Sequence, residues 1–194
     1  MEKIRAFIAI DLDPKVVREL DELAGRLKSR LAAVPIRWVA IKNIHLTLKF
    51  LGEILPAQVK DLQQVLSEET KKIELFEIEA RGLGAYPSLN RPRVVWVGVQ
   101  APTTLFTLQK QIDQRSALLG FPSENRPFSA HLTLGRVDQK ASRADHNRIE
   151  DTIQAEPDNS LGTSSVDAIH LYKSILQPQG AQYTRLYSAA LKSI

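Results

Sequence analysis

Two stretches of the chain share one pattern of polar and hydrophobic positions. Residues 45–50 (HLTLKF) alternate polar and apolar side chains, which is the two-residue period of a strand with one buried face. The same alternation returns at residues 131–136 (HLTLGR). On such a strand the His and Thr side chains project from one face and the Leu side chains from the other. Each copy therefore presents an imidazole beside a hydroxyl, while the Leu side chains anchor the backbone from behind.

The remaining pattern predicts helices and strands in mixed order. Helices are expected from Asp13-Pro14 to before Pro35, from Pro56, from Pro102 to Gly120, and over 144–155. Strands are expected over 5–11, 36–39, 45–52, 76–80, 94–99, 166–175 and 182–191, with a Gly- and Pro-rich loop at 82–92 and a tight turn at 177–180. This mixture predicts an α+β fold with a mainly antiparallel sheet. Because the two motifs have similar surroundings, we expect residues 1–194 to form a single domain of two similar lobes with a cleft between them.

Composition narrows the chemistry that the chain can perform. The 194 residues include 43% hydrophobic and 25% charged residues, as in ordinary globular proteins. There is no cysteine, which excludes disulfides, cysteine-based zinc sites and thiol nucleophiles. A net charge of +4 permits an anionic partner such as RNA without demanding one. The N-terminal apolar run stops at Asp11, too short for a signal peptide, so we expect a cytoplasmic protein with no membrane partner. We also expect a monomer.

The duplicated histidine suggests acid–base catalysis. Two imidazoles facing one cavity can share one proton, so that one ring acts as base and the other as acid. This arrangement suits a displacement at phosphorus, with the Thr hydroxyls and the Arg136 guanidinium holding the non-bridging oxygens. Neither a metal nor another cofactor is required. The alternative is a duplicated strand kept for packing alone, since a lone strand His is more often a hydrogen-bonded structural residue.

The motifs resemble those of the two-histidine (2H) phosphoesterases. The nearest resemblance is to the bacterial and archaeal RNA 2′,3′-cyclic phosphodiesterases, formerly described as the 2′-5′ RNA ligase family. It extends over nearly the whole chain and is carried by residues 5–11 (RAFIAID), 38–39 (WV), 45–53 (HLTLKFLGE), 91–99 (RPRVVWVGV) and 180–184 (GAQYT). Ala130 departs from the Pro that is common in the family before the second His, a position that only shapes the approach to the strand.

This resemblance implies a bilobal fold with outer helices and a central active-site groove. It also implies metal-independent hydrolysis of an RNA terminal 2′,3′-cyclic phosphate to a 2′-phosphate, with tRNA fragments or small cyclic nucleotides among the candidate substrates. By motif position, His45 is the general acid that protonates the departing O3′, and His131 is the general base that deprotonates water. The remaining implied contacts are Thr47, Thr133 and Arg136 with the phosphate oxygens and Phe50 stacked on the terminal base.

Strand parity conflicts with two of these implied roles. On a flat strand Arg136 points away from the face that carries His131, although Gly135 could permit a bulge. Phe50 likewise falls on the Leu face, where a core aromatic residue is an equally good interpretation.

Two other functions stay open at this point. The same site could join RNA ends reversibly through a 2′-5′ bond if a 5′-hydroxyl replaced water. The chain could also be an RNA- or nucleotide-binding module without catalysis. Outside the motifs, His146 and His170 are interpreted as incidental, and Tyr183 and Arg93 as packing or surface residues near the groove.

Overall fold

The computed structural model describes residues 2–177 and 180–192. Within them the strands are β1 (Ile4–Ile10), β2 (Ile36–Trp38), β3 (Leu46–Ile54), β4 (Phe76–Tyr86), β5 (Val94–Gln100), β6 (His131–Val137), β7 (Ser160–Val166), β8 (Ala168–Gln177) and β9 (Gly180–Ala190). The α-helices are α1 (Pro14–Arg30), α2 (Gln58–Thr70), α3 (Thr103–Leu118) and α4 (Arg143–Ala155). In this part of the chain no helix is both long enough and apolar enough to cross a bilayer.

All the strands belong to one sheet, and the paired strands are antiparallel. The order is β7-β4-β5-β6-β3-β1-β8-β9, with β2 added against β6. β3 and β6 are paired at a single position, Leu46 opposite Leu132. That junction divides the sheet into a first arm (β3, β1, β8 and β9) and a second arm (β6, β5, β4 and β7, with β2). The predicted α+β class with an antiparallel sheet is therefore confirmed.

The helices cover one face of the sheet and leave the other face open. Apolar side chains on the covered face form the main core with three helices; its members include Ile8, Ile10, Leu46, Leu132, Leu20 of α1, Leu66 of α2 and Leu108 of α3. A smaller cluster places Ile149 and Ile153 of α4 against Val95 and Val137. The opposite side of the sheet, here called the open face, is where strand alternation sends the polar residues of both motifs.

The first and third helices cross between the arms. α1 follows β1 of the first arm, yet its start is held on β7 of the second arm, where the Asp13 backbone N–H donates to Ser164 Oγ at 2.7 Å. The Ser165 backbone N–H donates in return to Asp13 Oδ2 at 3.0 Å. α3 follows β5 of the second arm but contacts β3 of the first, where Gln109 Nε2 donates to the Leu48 carbonyl at 3.2 Å. Each of these two helices thereby ties one arm to the other.

Two strands differ from the sequence prediction. β4 continues into the predicted loop as far as Tyr86. Its glycines lie within the strand, where they allow a register shift and the close approach of an aromatic ring. Gly82 has a φ of 74° at a register shift, and a Cβ at Gly84 would lie 2.3 Å from the Trp96 ring that covers it. β7, with the sequence SLGTSSV, is absent from the prediction because it lacks regular alternation.

The start of α2 differs slightly from the sequence prediction, whereas the last two strands pair as predicted. α2 begins at Gln58, two residues after the predicted start at Pro56. β8 and β9 pair antiparallel from Ala168–Ala190 to Gln177–Gly180, as a hairpin requires. The tight turn predicted at Pro178 and Gln179 lies outside the described residues.

Candidate active site

The junction between the arms brings both motifs together. Leu46 of β3 and Leu132 of β6 lie directly opposite each other and project into the core. Because opposed residues of antiparallel strands point to the same face and neighbours alternate, the residues flanking both Leu side chains project onto the open face. These flanking residues are His45, Thr47, His131 and Thr133, all of them half-buried. Two imidazoles and two hydroxyls are thereby gathered at one place.

A β-bulge in β3 turns Phe50 toward His45. Thr47 pairs with Ala9 and Lys49 pairs with Ile8, so Leu48 is an extra residue that reverses the strand parity. Phe50 then lies opposite Phe7, whose ring stacks on the His45 ring at 4.7 Å between centroids. Phe50 is 61% exposed. The interpretation of Phe50 as a core aromatic is therefore wrong, because the flat-strand argument did not include the bulge.

A matching bulge in β6 turns Arg136 to the same face. Thr133 pairs with Trp96 and Gly135 pairs with Val95, so Leu134 is the extra residue. Arg136, opposite Val94, is thereby returned to the face that carries His131. The expectation that Arg136 points away is also wrong, and Gly135 lies beside the bulge that corrects it.

At each bulge, the backbone carbonyl of the extra residue accepts a hydrogen bond from outside the strand pair. The Leu48 carbonyl accepts from Gln109 Nε2 at 3.2 Å. The Leu134 carbonyl accepts from the Val39 backbone N–H at 2.8 Å. Since a buried carbonyl without a partner is costly, these two contacts stabilise the bulged conformations.

Both histidines are oriented by the carbonyl two residues before them. His45 Nδ1 lies 2.8 Å from the Asn43 carbonyl oxygen, and His131 Nδ1 lies 2.8 Å from the Ser129 carbonyl oxygen. A carbonyl only accepts, so each Nδ1 carries a hydrogen. In the neutral ring Nε2 then carries none, and it is free to take or return a proton.

Aromatic rings and one carboxylate surround His45. Phe7 stacks on its ring, and Tyr183 meets it edge-on with centroids 5.3 Å apart. Burial lowers the pKa of His45 below its ordinary value, while the Asn43 carbonyl and the charge of Asp11 oppose that change. Burial also raises the pKa of Tyr183, and the charges of Arg136 and Arg5 act against this rise. The Arg136 charge therefore acts on Tyr183, whose ring contacts His45.

A network of polar contacts holds Asp11 in place. Tyr172 donates its hydroxyl to the Asp11 carboxylate at 2.8 Å, and Arg185 forms an ion pair with the same group. His170 Nε2 lies 3.6 Å from Asp11 Oδ2. Burial, together with the charge of Asp11, raises the pKa of Tyr172 to about 12, although Arg185 acts the other way. His170 therefore belongs to the surroundings of His45, which its isolated position in the sequence does not indicate.

His131 has a different set of neighbours. Tyr86 meets its ring edge-on at 5.0 Å between centroids, and Trp96 lies 6.4 Å away. The Tyr86 hydroxyl lies 2.7 Å from Ser129 Oγ, on the residue whose carbonyl holds His131. Gly98 stands directly opposite His131 in β5, so no side chain presses on the ring from that position.

The two halves of the sequence each match the same known family. A family model described as LigT like Phosphoesterase matches residues 10–96 and again residues 97–183. The chain belongs to the LigT-like phosphoesterase family. Among its relatives, the RNA 2′,3′-cyclic phosphodiesterase of Methanothermobacter thermautotrophicus is 34% identical over 182 residues, which cover 94% of this chain and 96% of the relative. The RNA 2′,3′-cyclic phosphodiesterase of Archaeoglobus fulgidus is 32% identical over 183 residues, covering 94% and 98%.

Two solved structures have the same fold. The crystal structure of E. coli LigT complexed with 3′-AMP superposes with a TM-score of 0.77 at 29% identity, covering 98% of this chain and 99% of that one. The crystal structure of TT0787 from Thermus thermophilus has a TM-score of 0.78 at 25% identity, with the same coverage. The bilobal LigT-like fold expected from the sequence is confirmed.

The sequence motifs alone do not indicate several neighbours in the site of this phosphoesterase. In the sequence Asp11 is only the end of an apolar run, although a carboxylate directly after a central strand is a usable signal. Tyr183 contacts the His45 ring, so its interpretation as a packing or surface residue missed its place in the site. The carbonyls of Asn43 and Ser129 carry no sequence signal, because any residue supplies a carbonyl. Among the described residues, no group of three His, Asp or Glu side chains is arranged to hold a metal ion.

Proposed function

We propose that this phosphoesterase hydrolyses the 2′,3′-cyclic phosphate at RNA ends to a 2′-phosphate, without a metal ion. The observation that carries the proposal is the matched orientation of two histidines at the junction of the arms. Each Nδ1 is bound by a backbone carbonyl, which leaves each Nε2 available for proton transfer. Two such groups are what an in-line displacement needs, one on each side of the phosphorus.

In the proposed reaction, both proton transfers pass through imidazole nitrogens. His131 Nε2 takes a proton from water as the water oxygen forms a bond to phosphorus. The bond between phosphorus and O3′ breaks, and protonated His45 gives its Nε2 proton to O3′. One water is consumed and the product keeps a 2′-phosphate, so atoms and charge balance.

The other motif residues bind the substrate. Thr47 and Thr133 donate hydroxyl hydrogen bonds to the non-bridging oxygens, and Arg136 binds them with its guanidinium. Phe50, turned to the open face by the bulge at Leu48, stacks on the terminal base. Stacking of this kind tolerates any base, so we expect little sequence preference.

The electrostatics of His45 fit this division of roles once substrate is present. Burial lowers the pKa of His45 in the free protein, which disfavours the protonated form that a general acid needs. The negative charge of Asp11 opposes this effect. The phosphodiester adds a second negative charge beside the ring, and we infer that the substrate therefore helps to protonate its own acid catalyst.

Relatives support the substrate assignment. The proteins named RNA 2′,3′-cyclic phosphodiesterase are similar over nearly the full length of this chain. E. coli LigT, complexed with 3′-AMP, has the same fold. RNA ends, including those of tRNA fragments, and small cyclic nucleotides are therefore the substrates to test. A single domain of two similar lobes, a monomer and a cytoplasmic location stay predictions.

The test is turnover of a short oligoribonucleotide with a 2′,3′-cyclic phosphate end, in the presence of a chelator. We expect full activity with chelator, and a loss of at least about 10²-fold in kcat for His45→Ala and for His131→Ala. His146→Ala, on α4, is the matched control and should keep wild-type turnover. Retained activity in either active-site variant would remove that residue from the mechanism.

Product analysis separates the alternatives. A 2′-phosphate monoester supports hydrolysis, whereas a longer chain with a 2′-5′ bond would identify the joining reaction, which uses the same groups in reverse. Binding without any turnover in the wild type, unaffected by both histidine substitutions, would identify a binding module.

A further inference from the structure

A cleft lined by arginines begins beside the active site. Its volume is about 680 Å³, and its charged lining residues are Arg37, Arg93 and Arg136 with a single acid, Asp138. Arg136 belongs to both places, because it lines this cleft and the bulge at Leu134 turns it to the face that carries His131. The cleft is therefore an extension of the site along the second arm.

Strand register directs Arg37 to the open face. In the pairing of β2 with β6, Arg37 lies directly opposite Arg136. Its neighbours Ile36 and Trp38 pack against the smaller core on the covered face, so alternation sends Arg37 the other way. Arg37 and Arg136 are thus cross-strand neighbours on one face, with their backbones about 5 Å apart.

This placement is unfavourable for the protein without a ligand. Like charges directly opposite each other across two strands destabilise a sheet. Among the described residues, no carboxylate lies within 4.0 Å of the guanidinium group of Arg37, Arg93 or Arg136. Arg93 donates only to the backbone carbonyl of Asp138, at 3.3 Å, and the Asp138 carboxylate accepts from the Lys140 backbone N–H.

Of the eleven other arginines, five have an acidic partner within 4.0 Å among the described residues, and none of the other six lines this cleft. Arg30 binds Glu156 at 2.9 Å, Arg115 binds Glu69 at 2.8 Å, and Arg185 is paired with Asp11. A concentration of three arginines without a carboxylate partner, in a concave surface next to a phosphate-binding residue, indicates that an anion supplies the missing charge.

We propose that this cleft binds the phosphodiester that precedes the terminal nucleotide of the RNA substrate. The proposal rests on the proposed function, because Arg136 links the cleft to the reacting phosphate. Arg37 is the main contact and Arg93 the second, and both read the RNA backbone without regard to sequence. The enzyme then distinguishes an RNA end from a cyclic mononucleotide, which has no second phosphodiester.

The test compares two substrates in the same enzyme variants. For Arg37→Gln we expect kcat/KM to fall about five- to tenfold on a tetranucleotide with a 2′,3′-cyclic end, through the loss of one charged contact. On 2′,3′-cyclic AMP the change should be no more than about twofold. Arg18→Gln, on the exposed side of α1, removes the same charge and should leave both substrates unaffected. Equal losses on the two substrates would overturn the proposal.

A binding measurement separates this proposal from the proposed function. The probe is a fluorescent tetranucleotide ending in a 2′-phosphate, titrated at several salt concentrations. Arg37→Gln should weaken binding and reduce the slope of log K against log [salt] by about 0.7, the value for one phosphate contact on a single strand. Unchanged affinity and slope would reject the cleft even if hydrolysis is found. A wild type that binds with the expected slope but does not hydrolyse would reject the proposed function alone.

The thermal stability of Arg37→Gln distinguishes a role of Arg37 in binding from a role in supporting the fold. Because Arg37→Gln removes a like-charge pair, we expect the free variant to have a Tm equal to or above that of the wild type. A clear fall in Tm would show that Arg37 supports the fold, and it would count against a role in binding.

Discussion

The surroundings of His45 and His131 differ although their strands are nearly the same. Both residues precede a Leu that pairs across the junction, both have a bulge three residues later, and both have Nδ1 held by a carbonyl. The two histidines differ in the strand that pairs with their own, which is β1 for His45 and β5 for His131. Asp11 follows Ile10, the partner of Leu46, and its charge acts on His45, whereas Gly98 lies opposite His131. A repeated motif therefore places two imidazoles alike, and the next strand makes them chemically different.

The residues after the two bulges differ as well. On the covered face, Lys49 is buried and pairs with Asp113 of α3, whereas its counterpart Gly135 leaves room for Ile36, whose Cγ2 would lie 2.7 Å from an added Cβ. On the open face, Phe50 offers a ring for a base and Arg136 offers a charge for a phosphate. One backbone geometry thus serves two kinds of recognition.

Asp113→Ala removes the ion-pair partner of Lys49, the residue that follows the bulge at Leu48. We expect it to have the largest effect of these substitutions, a fall in the stability of the fold. The Lys49 side chain is only 1% exposed, so removing its partner leaves a buried charge. We expect a loss of about 3–5 kcal/mol in the free energy of unfolding, measured by urea titration at pH 7. Lys49→Met combined with Asp113→Ala should recover most of the loss, since a buried ion pair can be replaced by apolar groups at little cost. A loss below about 1 kcal/mol would contradict this account.

The same pair predicts how stability changes with pH. Burial alone would raise the pKa of Asp113, but hydrogen bonds from Lys49 and Ser123 and the Lys49 charge together lower it. A lowered pKa in the folded state stabilises the fold above the unfolded value of about 3.9. This contribution disappears as the pH falls through the folded value, so the difference between wild type and Asp113→Ala should shrink in acid.

Separate alanine substitutions of Arg136 and Phe50 test the different roles of these two residues on the open face. Arg136→Ala should lower kcat about 10²- to 10³-fold, because the guanidinium stabilises charge that develops on the phosphate oxygens. Phe50→Ala should instead raise KM about tenfold with little change in kcat, since base stacking is made equally before and during the reaction. Phe106→Ala, which changes another exposed ring on α3, is the control. A fall in kcat for Phe50→Ala as large as for Arg136→Ala would remove the distinction.

Asp11→Asn gives the smallest effect and tests whether this carboxylate influences the pKa of His45. The Asp11 charge opposes the lowering of the His45 pKa by burial, so its removal should lower that pKa further. The limb of the kcat/KM profile that reports His45 should therefore move to lower pH. Tyr172→Phe removes a hydrogen bond to Asp11 but keeps its charge, and should leave both limbs nearly in place. A profile unchanged by Asp11→Asn would contradict an influence of Asp11 on His45.

Hydrophobic periodicity predicted the elements of the core and the positions of both histidines, because it directly reflects burial. It gave no sign of the bulge at Leu48, and for the bulge at Leu134 only Gly135 indicated that one could form, since a bulge depends on the register with a neighbouring strand. Parity counted along one strand therefore put Phe50 and Arg136 on the wrong face. β7 could not be predicted either, because it lies at the edge of the sheet and its side chains do not alternate regularly between buried and exposed.

The distribution of strands between the two arms has a consequence for the two matched halves of the chain. β4, from the first family-matched half, lies in the second arm, while β8, from the second half, lies in the first. Each half-length fragment would carry strands for both arms and would lack the partners that those strands require. Neither half can therefore complete an arm by itself, and the sheet depends on both halves being present together.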